Sequence, residues 1–386
     1  MKRKICVITG TRAEFGLMQW ILHLLANDSD FELQLVVTGM HLSPEFGMTI
    51  NDIKEKGFKI DKKIEILLSS DSSVGISKSM GLGMISFSEA FDELSPDLIL
   101  VLGDRFEIFA AVSSAMVSRI PVAHLHGGEA TEGLIDEPIR HSITKMAHLH
   151  FTATSKYRER VIQLGESPDR VFNTGTPGLD NIYKLNLLDR KQFEDSIDFN
   201  LSSEINFLVT FHPVTLEKGT AGAQFQELLN SLDQFNNAKI IFTKPNADTG
   251  GRVIIDMIDD YVSKYKDKSC AFTSLGQVRY LSALKHTDVV IGNSSSGLVE
   301  APAFLTPTID IGDRQKGRIN AKSVINVKAK ADEITQAIKT ALSKEFKKSI
   351  ENMANPYGDG GASEKIVEIL KETNLDGIIK KKFHDL

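Results

Sequence analysis

The sequence has little cysteine, with only Cys6 and Cys270 among its 386 residues. Both lie in or beside apolar runs, which favours buried free thiols over a disulfide or a catalytic thiol. A chain without a disulfide framework suits a reducing compartment, so we expect a cytoplasmic protein. The apolar part of the start, MKRKICVITG, is too short for a signal peptide, and no window approaches the roughly 18 apolar residues of a membrane helix.

Basic residues are not in excess, since the formal net charge is -6 and the isoelectric point about 6.0. This balance argues against a nucleic-acid-binding protein, although it remains compatible with a local cationic pocket for an anionic ligand. The chain also lacks an HExxH motif and paired CxxC spacings. A site of His, Asp and Glu is chemically possible, but without these motifs we expect no metal and no bound cofactor.

Short apolar runs alternate with stretches of helical spacing along most of the chain. Continuous apolar runs indicate strands buried on both faces, and their alternation with helices indicates right-handed βαβ units. The alternation weakens between about 176 and 204 and then resumes. We therefore predict an α/β protein with two Rossmann-like, doubly wound domains, covering 1–178 and 200–360.

Polar and glycine-rich residues follow the predicted strands rather than precede them. Ligands of parallel sheets bind beyond the carboxyl ends of the strands. Two such sheets facing each other predict a site in the cleft between the domains. The strands are expected at 5–8, 33–37, 98–102, 121–125, 151–153, 207–211, 239–243, 288–291 and 308–311.

Arg12 lies in TGTRAE, between the first predicted strand and helix. A helix start offers free N–H groups to an anion, and a guanidinium adds a fork of donors for a phosphate or carboxylate. A structural turn with Arg12 in a surface ion pair is an equal alternative. The full GxGxxG fingerprint is absent, so a dinucleotide site is poorly supported.

The second half carries a small, polar run after a strand, GNSSSG at 292–297. Its hydroxyl donors and close backbone approach suit a diphosphate, whereas a helix N-cap is the structural alternative. Glu300 is predicted two turns into the following helix, where a carboxylate can bind ribose hydroxyls; an ordinary surface glutamate is the alternative. The candidate ligands in the run are Asn293, Ser294, Ser295, Ser296 and Gly297.

Arg314 and Arg318 belong to DIGDRQKGR, which follows the next predicted strand. Three cations within five residues at a strand end could neutralise a diphosphate. A solvated run of charges is the usual alternative. The position beside the serine-rich turn favours ligand binding.

Carboxylates at strand ends are the predicted chemical machinery. Asp104 and Glu129 each follow a strand, and Asp136 precedes a helix, where it could instead be an N-cap. Carboxylates with histidines nearby can divide general-acid and general-base work once their pKa values separate. His124 is predicted to be a satisfied core residue, and His212 to contact phosphate or serve only in capping or packing.

These segments together resemble the hydrolysing UDP-N-acetylglucosamine 2-epimerase family, in its branch for sialic and legionaminic acid biosynthesis. The resemblance spans almost the whole chain, and the combination is far more specific than any one motif. The matching segments are TGTRAEFG, GDRFE, HLHGGEATEGLIDEPIRHSITK, GTPGLDN, FHPVT, GNSSSG with Glu300, GDRQKGR and NPYGDGGAS.

The resemblance implies a GT-B-like fold, a homodimer, and a final helix at about 363–386 that joins the first domain. It implies elimination of UDP to a glycal followed by hydration, which turns UDP-N-acetylglucosamine into N-acetylmannosamine and UDP with inversion at C2. The implied acid/base residues are Asp104, Glu129, Asp136 and His212. His126 stands where related enzymes carry Glu, so the proton-transfer role is assigned either to Glu129 or jointly to His126.

Several alternatives stay open at this point. The same reaction could act on UDP- or GDP-N,N'-diacetylbacillosamine. A non-hydrolysing epimerase would keep UDP on the product, and HLHGGE in place of an HVEAG-like segment argues against it. A GT-B glycosyltransferase fits the carboxylate cluster poorly, and a non-catalytic nucleotide-sugar binding protein would bind UDP without turnover.

Overall fold

The computed structural model describes residues 2–68, 72–131, 135–213, 221–245 and 251–386. Its strands are β1 (Arg3–Thr9), β2 (Phe31–Thr38), β3 (Lys62–Ile64), β4 (Leu98–Leu102), β5 (Val122–Leu125), β6 (Leu149–Thr152), β7 (Val171–Asn173), β8 (Ile205–Thr210), β9 (Ala238–Thr243), β10 (Ser269–Phe272), β11 (Val289–Gly292), β12 (Thr308–Ile311) and β13 (Val324–Val327).

Its α-helices are α1 (Arg12–Asn27), α2 (Ile50–Glu55), α3 (Ser73–Leu94), α4 (Phe106–Val117), α5 (Asp136–Met146), α6 (Ser155–Gln163), α7 (Asp180–Lys184), α8 (Arg190–Ile197), α9 (Ala221–Leu232), α10 (Gly251–Lys264), α11 (Gly276–His286), α12 (Ser296–Val299), α13 (Ala331–Leu342), α14 (Lys344–Ile350) and α15 (Ala362–Glu372). Within the described ranges, no helix is both long and apolar enough to cross a bilayer.

The chain forms two compact units. The first unit comprises Met1–Asp180 together with Gly360–Leu386, and the second unit comprises Asn181–Asp359. Each unit is built on one parallel sheet covered by helices, so the prediction of two doubly wound α/β domains is confirmed.

The first unit contains a seven-stranded sheet in the order β3-β2-β1-β4-β5-β6-β7. All its strand pairs are parallel. Alternate residues of one strand serve opposite faces, since Ile5 and Val7 join one apolar core while Cys6 and Ile8 join the other. The strand order reverses between β1 and β4, which is where ligands enter sheets of this type.

The second unit contains a six-stranded parallel sheet in the order β10-β9-β8-β11-β12-β13. Phe207 and Val209 of β8 face one core, and Leu208 faces the other. Here the order reverses between β8 and β11. The carboxyl ends of these two strands, near His212 and Asn293, are therefore the expected ligand position of this unit.

Helix α15 packs into the core of the first unit through Ile366 and Leu370. Its first turn is capped by Asp180, whose carboxylate accepts hydrogen bonds from the backbone N–H of Ala362 at 3.1 Å and of Ser363 at 2.8 Å. This pairing joins the GTPGLDN and NPYGDGGAS segments, which lie far apart in the sequence. Asp180 is fully buried, so its carboxylate serves the helix cap rather than solvent.

Two helices end earlier than the helical spacing of their sequences indicates. The stretch 331–346 forms two helices, because Ser343 adopts an extended backbone and its hydroxyl caps the second one at Phe346 N–H. The helix before Glu300 ends after one turn, so Glu300 is its C-cap and does not lie two turns inside it. The physical reason is Pro302, which lacks the N–H needed to continue an α-helix and starts a 3₁₀ turn instead.

Candidate functional site

The turn after β1 is a capped helix start. The Thr11 side chain accepts a hydrogen bond from Glu14 N–H, and the Glu14 carboxylate accepts one from Thr11 N–H, forming a capping box. The same carboxylate accepts from Gly10 N–H at 2.7 Å. Arg12 is the first residue of α1 and is exposed, so its guanidinium stands at this end of the sheet.

A second carboxylate is buried against the same turn. Glu107, at the start of α4, is fully buried and forms an ion pair with Arg105 at 2.6 Å. Burial raises the pKa of Glu14, and the nearby charge of Glu107 raises it further. A Cβ on Gly10 would lie 2.6 Å from Glu107 Oε1, so a glycine at this position leaves room for the Glu107 side chain.

Arg140 of α5 collects the carboxylates that follow β4 and β5. Its guanidinium forms ion pairs with Asp104 and, at 2.8 Å, with Glu137. It also donates to the carbonyl of Glu129 at 3.0 Å and to the Thr131 hydroxyl at 3.1 Å. The arginine is 2% exposed, so these anions surround a buried cation. Glu137 and Arg140 lie in the IDEPIRHSITK segment, but neither is among the acid/base residues that the resemblance implies.

Asp136 and Glu137 differ in protonation tendency although they are neighbours. Burial raises the pKa of Asp136, and the charge of Asp104 adds to this, while Arg105 and Arg140 oppose it. Burial also acts on Glu137, but hydrogen bonds from Thr131 N–H and His141 together with Arg140 leave its pKa lowered. Asp136 is the first residue of α5 and Ile135 is the N-cap, so the N-cap alternative for Asp136 is wrong.

His126 and Glu129 form a pair after β5. His126 Nδ1 lies 3.1 Å from Glu129 Oε1, and its Nε2 lies 3.1 Å from the Thr176 hydroxyl. Since a carboxylate only accepts, Nδ1 is the nitrogen that donates to Glu129, which leaves Nε2 facing the Thr176 hydroxyl. His126 has a positive φ of 66°, an uncommon conformation for a residue other than glycine. His124, by contrast, is fully buried and bonds to Gly103 O and the Thr144 hydroxyl, which confirms it as a core residue.

In the second unit, Asn293 joins the ends of β8 and β11. Its side chain bonds to both backbone groups of His212, at 2.7 Å to N–H and 2.8 Å to the carbonyl. The Asn293 carbonyl accepts from Arg314 Nη1 at 3.0 Å and Gln315 Nε2 at 2.8 Å. The structure thus brings His212, Asn293 and Arg314 together. Burial lowers the pKa of His212 to about 4, and the charge of Arg314 acts in the same direction.

The serine-rich turn contains both half-exposed and buried hydroxyls. Ser294 and Ser295 are partly accessible, whereas Ser296 is 9% exposed. Ser295 is the N-cap of α12 but makes no side-chain capping bond, so capping alone does not account for it. A Cβ on Gly297 would lie 2.6 Å from Thr308 Cγ2, so this glycine serves close packing onto β12.

Acidic residues border the cations of this turn. Burial raises the pKa of Glu300, and nearby Ser296 opposes the rise. Burial also raises the pKa of Asp310 to about 7, while Arg314 acts against it. Arg318 ends the turn that begins at Asp313 and is half-buried. Across the described ranges of both units, no group of three or more His, Cys, Asp or Glu side chains is arranged to hold a metal ion.

The chain matches the model of the UDP-N-acetylglucosamine 2-epimerase family over residues 23–371. It is 45% identical over 386 residues, covering 100% of both chains, to "GDP/UDP-N,N'-diacetylbacillosamine 2-epimerase (hydrolyzing)" of Campylobacter jejuni. The Legionella pneumophila "UDP-N,N'-diacetylbacillosamine 2-epimerase (hydrolyzing)" is 37% identical over 99% of both chains. "Polysialic acid biosynthesis protein P7" of Escherichia coli is 38% identical, covering 96% of this chain and 94% of its own.

Solved structures share the fold. The UDP-N-acetylglucosamine 2-epimerase of Neisseria meningitidis, bound to UDP-GlcNAc, has a TM-score of 0.83 at 20% identity, over 96% of this chain and 100% of that one. The Methanocaldococcus jannaschii enzyme, in complex with UDP-GlcNAc and UDP, gives 0.74 at 19% identity, with the same coverage. The fold is therefore that of GT-B-like 2-epimerases. The chain belongs to the UDP-N-acetylglucosamine 2-epimerase family, in its hydrolysing branch.

Proposed function

We propose that this protein is a hydrolysing 2-epimerase that releases UDP and an inverted free sugar from a UDP-linked 2-acetamido sugar. The observation that carries the proposal is the cluster around Arg140. A buried arginine holds Asp104 and Glu137 beside Asp136, whose pKa burial raises. Carboxyl groups with pKa values pushed apart are what an elimination followed by an addition needs, since one must accept a proton while another donates one.

The reaction proceeds in two balanced steps. A base takes the proton from sugar C2, the C1–O bond to UDP breaks with its electron pair leaving on UDP, and a C1=C2 double bond forms. Water then adds its oxygen to C1 while a proton reaches C2 from the opposite face. The sum is one nucleotide-sugar and one water converted to UDP and the C2-inverted sugar.

In the first unit, we assign the proton transfers to Asp104, Asp136 and the His126–Glu129 pair. The raised pKa of Asp136 favours its protonated form, which suits a donor, whereas Asp104 is held in an ion pair with Arg140. Glu129 orients the His126 ring, so the accepting Nε2 is the basic nitrogen of this pair. Arg12 is assigned to the diphosphate.

In the second unit, we assign the leaving group to the serine-rich turn, His212, Arg314 and Arg318. His212 is neutral near pH 7, because burial and Arg314 hold its pKa at about 4, so it serves as a hydrogen-bond donor rather than as a cation. Cationic and hydroxyl donors placed around a departing diphosphate stabilise the charge that develops on it. Glu300 is assigned to the ribose hydroxyls.

Two sugars are candidates. N-acetylglucosamine would yield N-acetylmannosamine for sialic-type acids, which is the activity suggested by the resemblance and by the similarity to the polysialic acid protein. N,N'-diacetylbacillosamine would serve legionaminic acid instead. The 45% and 37% identical relatives named for that sugar support it at least equally.

Turnover in deuterated water separates these possibilities. The protein is incubated with UDP-N-acetylglucosamine, UDP-N,N'-diacetylbacillosamine and GDP-N,N'-diacetylbacillosamine, and products are followed by proton NMR. We expect free nucleotide and a released sugar with deuterium at C2 from one of them. A C2-inverted sugar still linked to UDP would mean a non-hydrolysing epimerase, and binding without turnover would remove catalysis from the proposal.

Variants then test the assigned groups. Asp104→Asn and Glu129→Gln should lose at least about 100-fold in kcat, the usual contribution of a positioned acid or base, while retaining UDP binding. Glu159→Gln is the matched control, because Glu159 is an exposed glutamate of α6 in the same unit. If either test variant turned over at the control rate, that residue would leave the mechanism.

We further propose a homodimer built on α3 and the end of α4. Val74, Leu82 and Ile85 recur at helical spacing on α3 and are 61%, 42% and 63% exposed. Met116 and Val117 at the end of α4 are 51% and 73% exposed. Exposed apolar side chains gathered on packed helices are typical of subunit interfaces.

Sedimentation velocity tests the assembly. Ile85→Lys should convert a dimer to monomers, because it places a charge in an apolar interface. Val253→Lys is the control, since Val253 is 50% exposed on α10 of the second unit. A wild-type protein that sediments as a monomer at micromolar concentration would refute the dimer and leave the proposed reaction untouched.

A further inference from the structure

Both polar atoms of the Asn293 side chain bond to the protein backbone. Its Oδ1 accepts from His212 N–H at 2.7 Å, and its Nδ2 donates to the His212 carbonyl at 2.8 Å. The residue is 1% exposed. A buried amide whose donor and acceptor face the same residue is a clamp on that residue, not a group that reaches out to a ligand.

The main chain of Asn293 extends the clamp to two more segments. Its N–H donates to Thr210 O at 3.1 Å, at the end of β8. Its carbonyl accepts from both Arg314 and Gln315, which follow β12. Gln315 is buried, so its side chain is committed to this contact. One residue therefore links the carboxyl ends of β8, β11 and β12.

We infer that Asn293 is a positioning residue, whose side chain holds the His212 backbone while its carbonyl holds the Arg314 guanidinium. The His212 imidazole and the Arg314 guanidinium can then both contact the same leaving group. This inference rests on the proposed function, which assigns the diphosphate to these two side chains. It replaces the expectation that the Asn293 side chain itself binds substrate.

The same backbone clamp occurs at the opposite end of β8. Asn206 accepts from Ser202 N–H at 2.7 Å and donates to the Ser202 carbonyl at 2.9 Å. It is 3% exposed. Asn206 lies at the amino ends of the strands, away from the ligand side of the sheet. It is therefore a matched control for every effect that comes only from losing a buried amide clamp.

Charge at position 293 gives a readout that a merely structural role would not move. The charged group that faces His212 among the described residues is Arg314, and Asp310 and Asp313 lie near that arginine. Burial and Arg314 hold the pKa of His212 at about 4. A carboxylate in place of the Asn293 amide would bring a negative charge against the His212 backbone, and this charge would favour the charged form of the imidazole. The His212 pKa should then rise by about one unit or more.

The experiment combines ring titration with kinetics. Asn293→Ala, Asn293→Asp, Asn206→Ala and Asn206→Asp are compared with wild type, with the His212 ring signals assigned by His212→Gln. We expect Asn293→Asp to raise the His212 pKa and Asn206→Asp to leave it unchanged. We expect Asn293→Ala to lower kcat about 100-fold, as small misplacements of positioned groups do, with a smaller loss in UDP affinity.

Three outcomes would overturn the inference. One is an unchanged His212 titration in Asn293→Asp. Another is an equal shift in Asn206→Asp, and the third is full turnover by a folded Asn293→Ala. If Asn293→Ala does not fold, the Asp variant still decides through the titration. Failure of the proposed reaction is separate, because the His212 titration is measured on unliganded protein and does not need turnover.

Discussion

Replacement of Arg140 by methionine should destabilise the first unit by about 3 kcal/mol, at the lower end for breaking a buried ion pair. The arginine side chain is 3% exposed, whereas its partners Asp104 and Glu137 are 22% and 27% exposed. Water can therefore relieve part of the charge left on those carboxylates. Methionine retains much of the apolar stem, so the loss reports on the guanidinium rather than on a cavity.

Trp20 is the single tryptophan of the chain and lies in α1 of the first unit. Its fluorescence in urea therefore reports on the unit that contains Arg140. With an m-value of about 3 kcal/mol per M, a loss of about 3 kcal/mol lowers the midpoint by about 1 M.

A double-mutant cycle isolates the Arg140–Asp104 contact. Asp104→Asn alone should cost about 1 kcal/mol, because Arg140 keeps its contact with Glu137. The double variant should cost less than the sum of the two singles, with a coupling energy of about 1–2 kcal/mol. Additivity within about 0.4 kcal/mol would refute the reasoning, because it would mean that the guanidinium does not stabilise the Asp104 anion.

Three further predictions concern the first unit. Burial lowers the pKa of His41 from 6.5 to about 4, so the unfolded chain binds more protons between these values, and stability is lost as the pH drops through that window, by about 1.4 kcal/mol per pH unit. His41→Gln should remove this contribution to the dependence of stability on pH, measured by urea unfolding followed through Trp20 fluorescence at pH 7, 6 and 5. An unchanged pH dependence would contradict the contribution of His41. Lys381→Met removes a cation that bonds to Glu166 and to the carbonyls of Lys145 and Ala147. Amide hydrogen exchange in residues 375–386 should therefore become about tenfold faster, which corresponds to a loss of about 1.4 kcal/mol. Protection equal to that of the wild type would contradict the role of Lys381 in holding this segment. Asp180→Ala removes the cap of α15 and should cost about 1–2 kcal/mol, with partial recovery in Asp180→Asn; equal stability of both variants would contradict the capping role.

Central strands were predictable because their sequences are apolar throughout. The run at 98–102 became β4 with every residue buried, and the run at 207–211 became β8. Outer strands carry a weaker signal, since fewer of their residues are buried. The edge strand β3 reads Lys62-Lys63-Ile64, and in β13 none of the residues is buried, so neither was predicted.

The positions of the site residues were also more predictable than their contacts. Position relative to a strand end can be read from a sequence, and this placed His212, Asn293 and Arg314 in neighbouring loops. Which atom a side chain satisfies depends on three-dimensional contacts that no local pattern encodes. For that reason the strand-end position of Asn293 predicts ligand binding but not its bonds to the His212 backbone, and the sequence does not predict the ion pairs of Arg140. Pro302 indicates in the sequence that the helix ends at Glu300. The prediction of a longer helix relied on helical spacing alone.

The return of α15 to the first unit affects the order in which the protein can mature on the ribosome. The second unit is synthesised while the apolar core of the first still lacks Ile366, Leu370 and Ile378. The first unit is therefore synthesised first for most of its length but completed last. A nascent chain stalled near residue 360 should expose the α1 surface that these side chains cover, and so should recruit chaperones more strongly than the finished polypeptide.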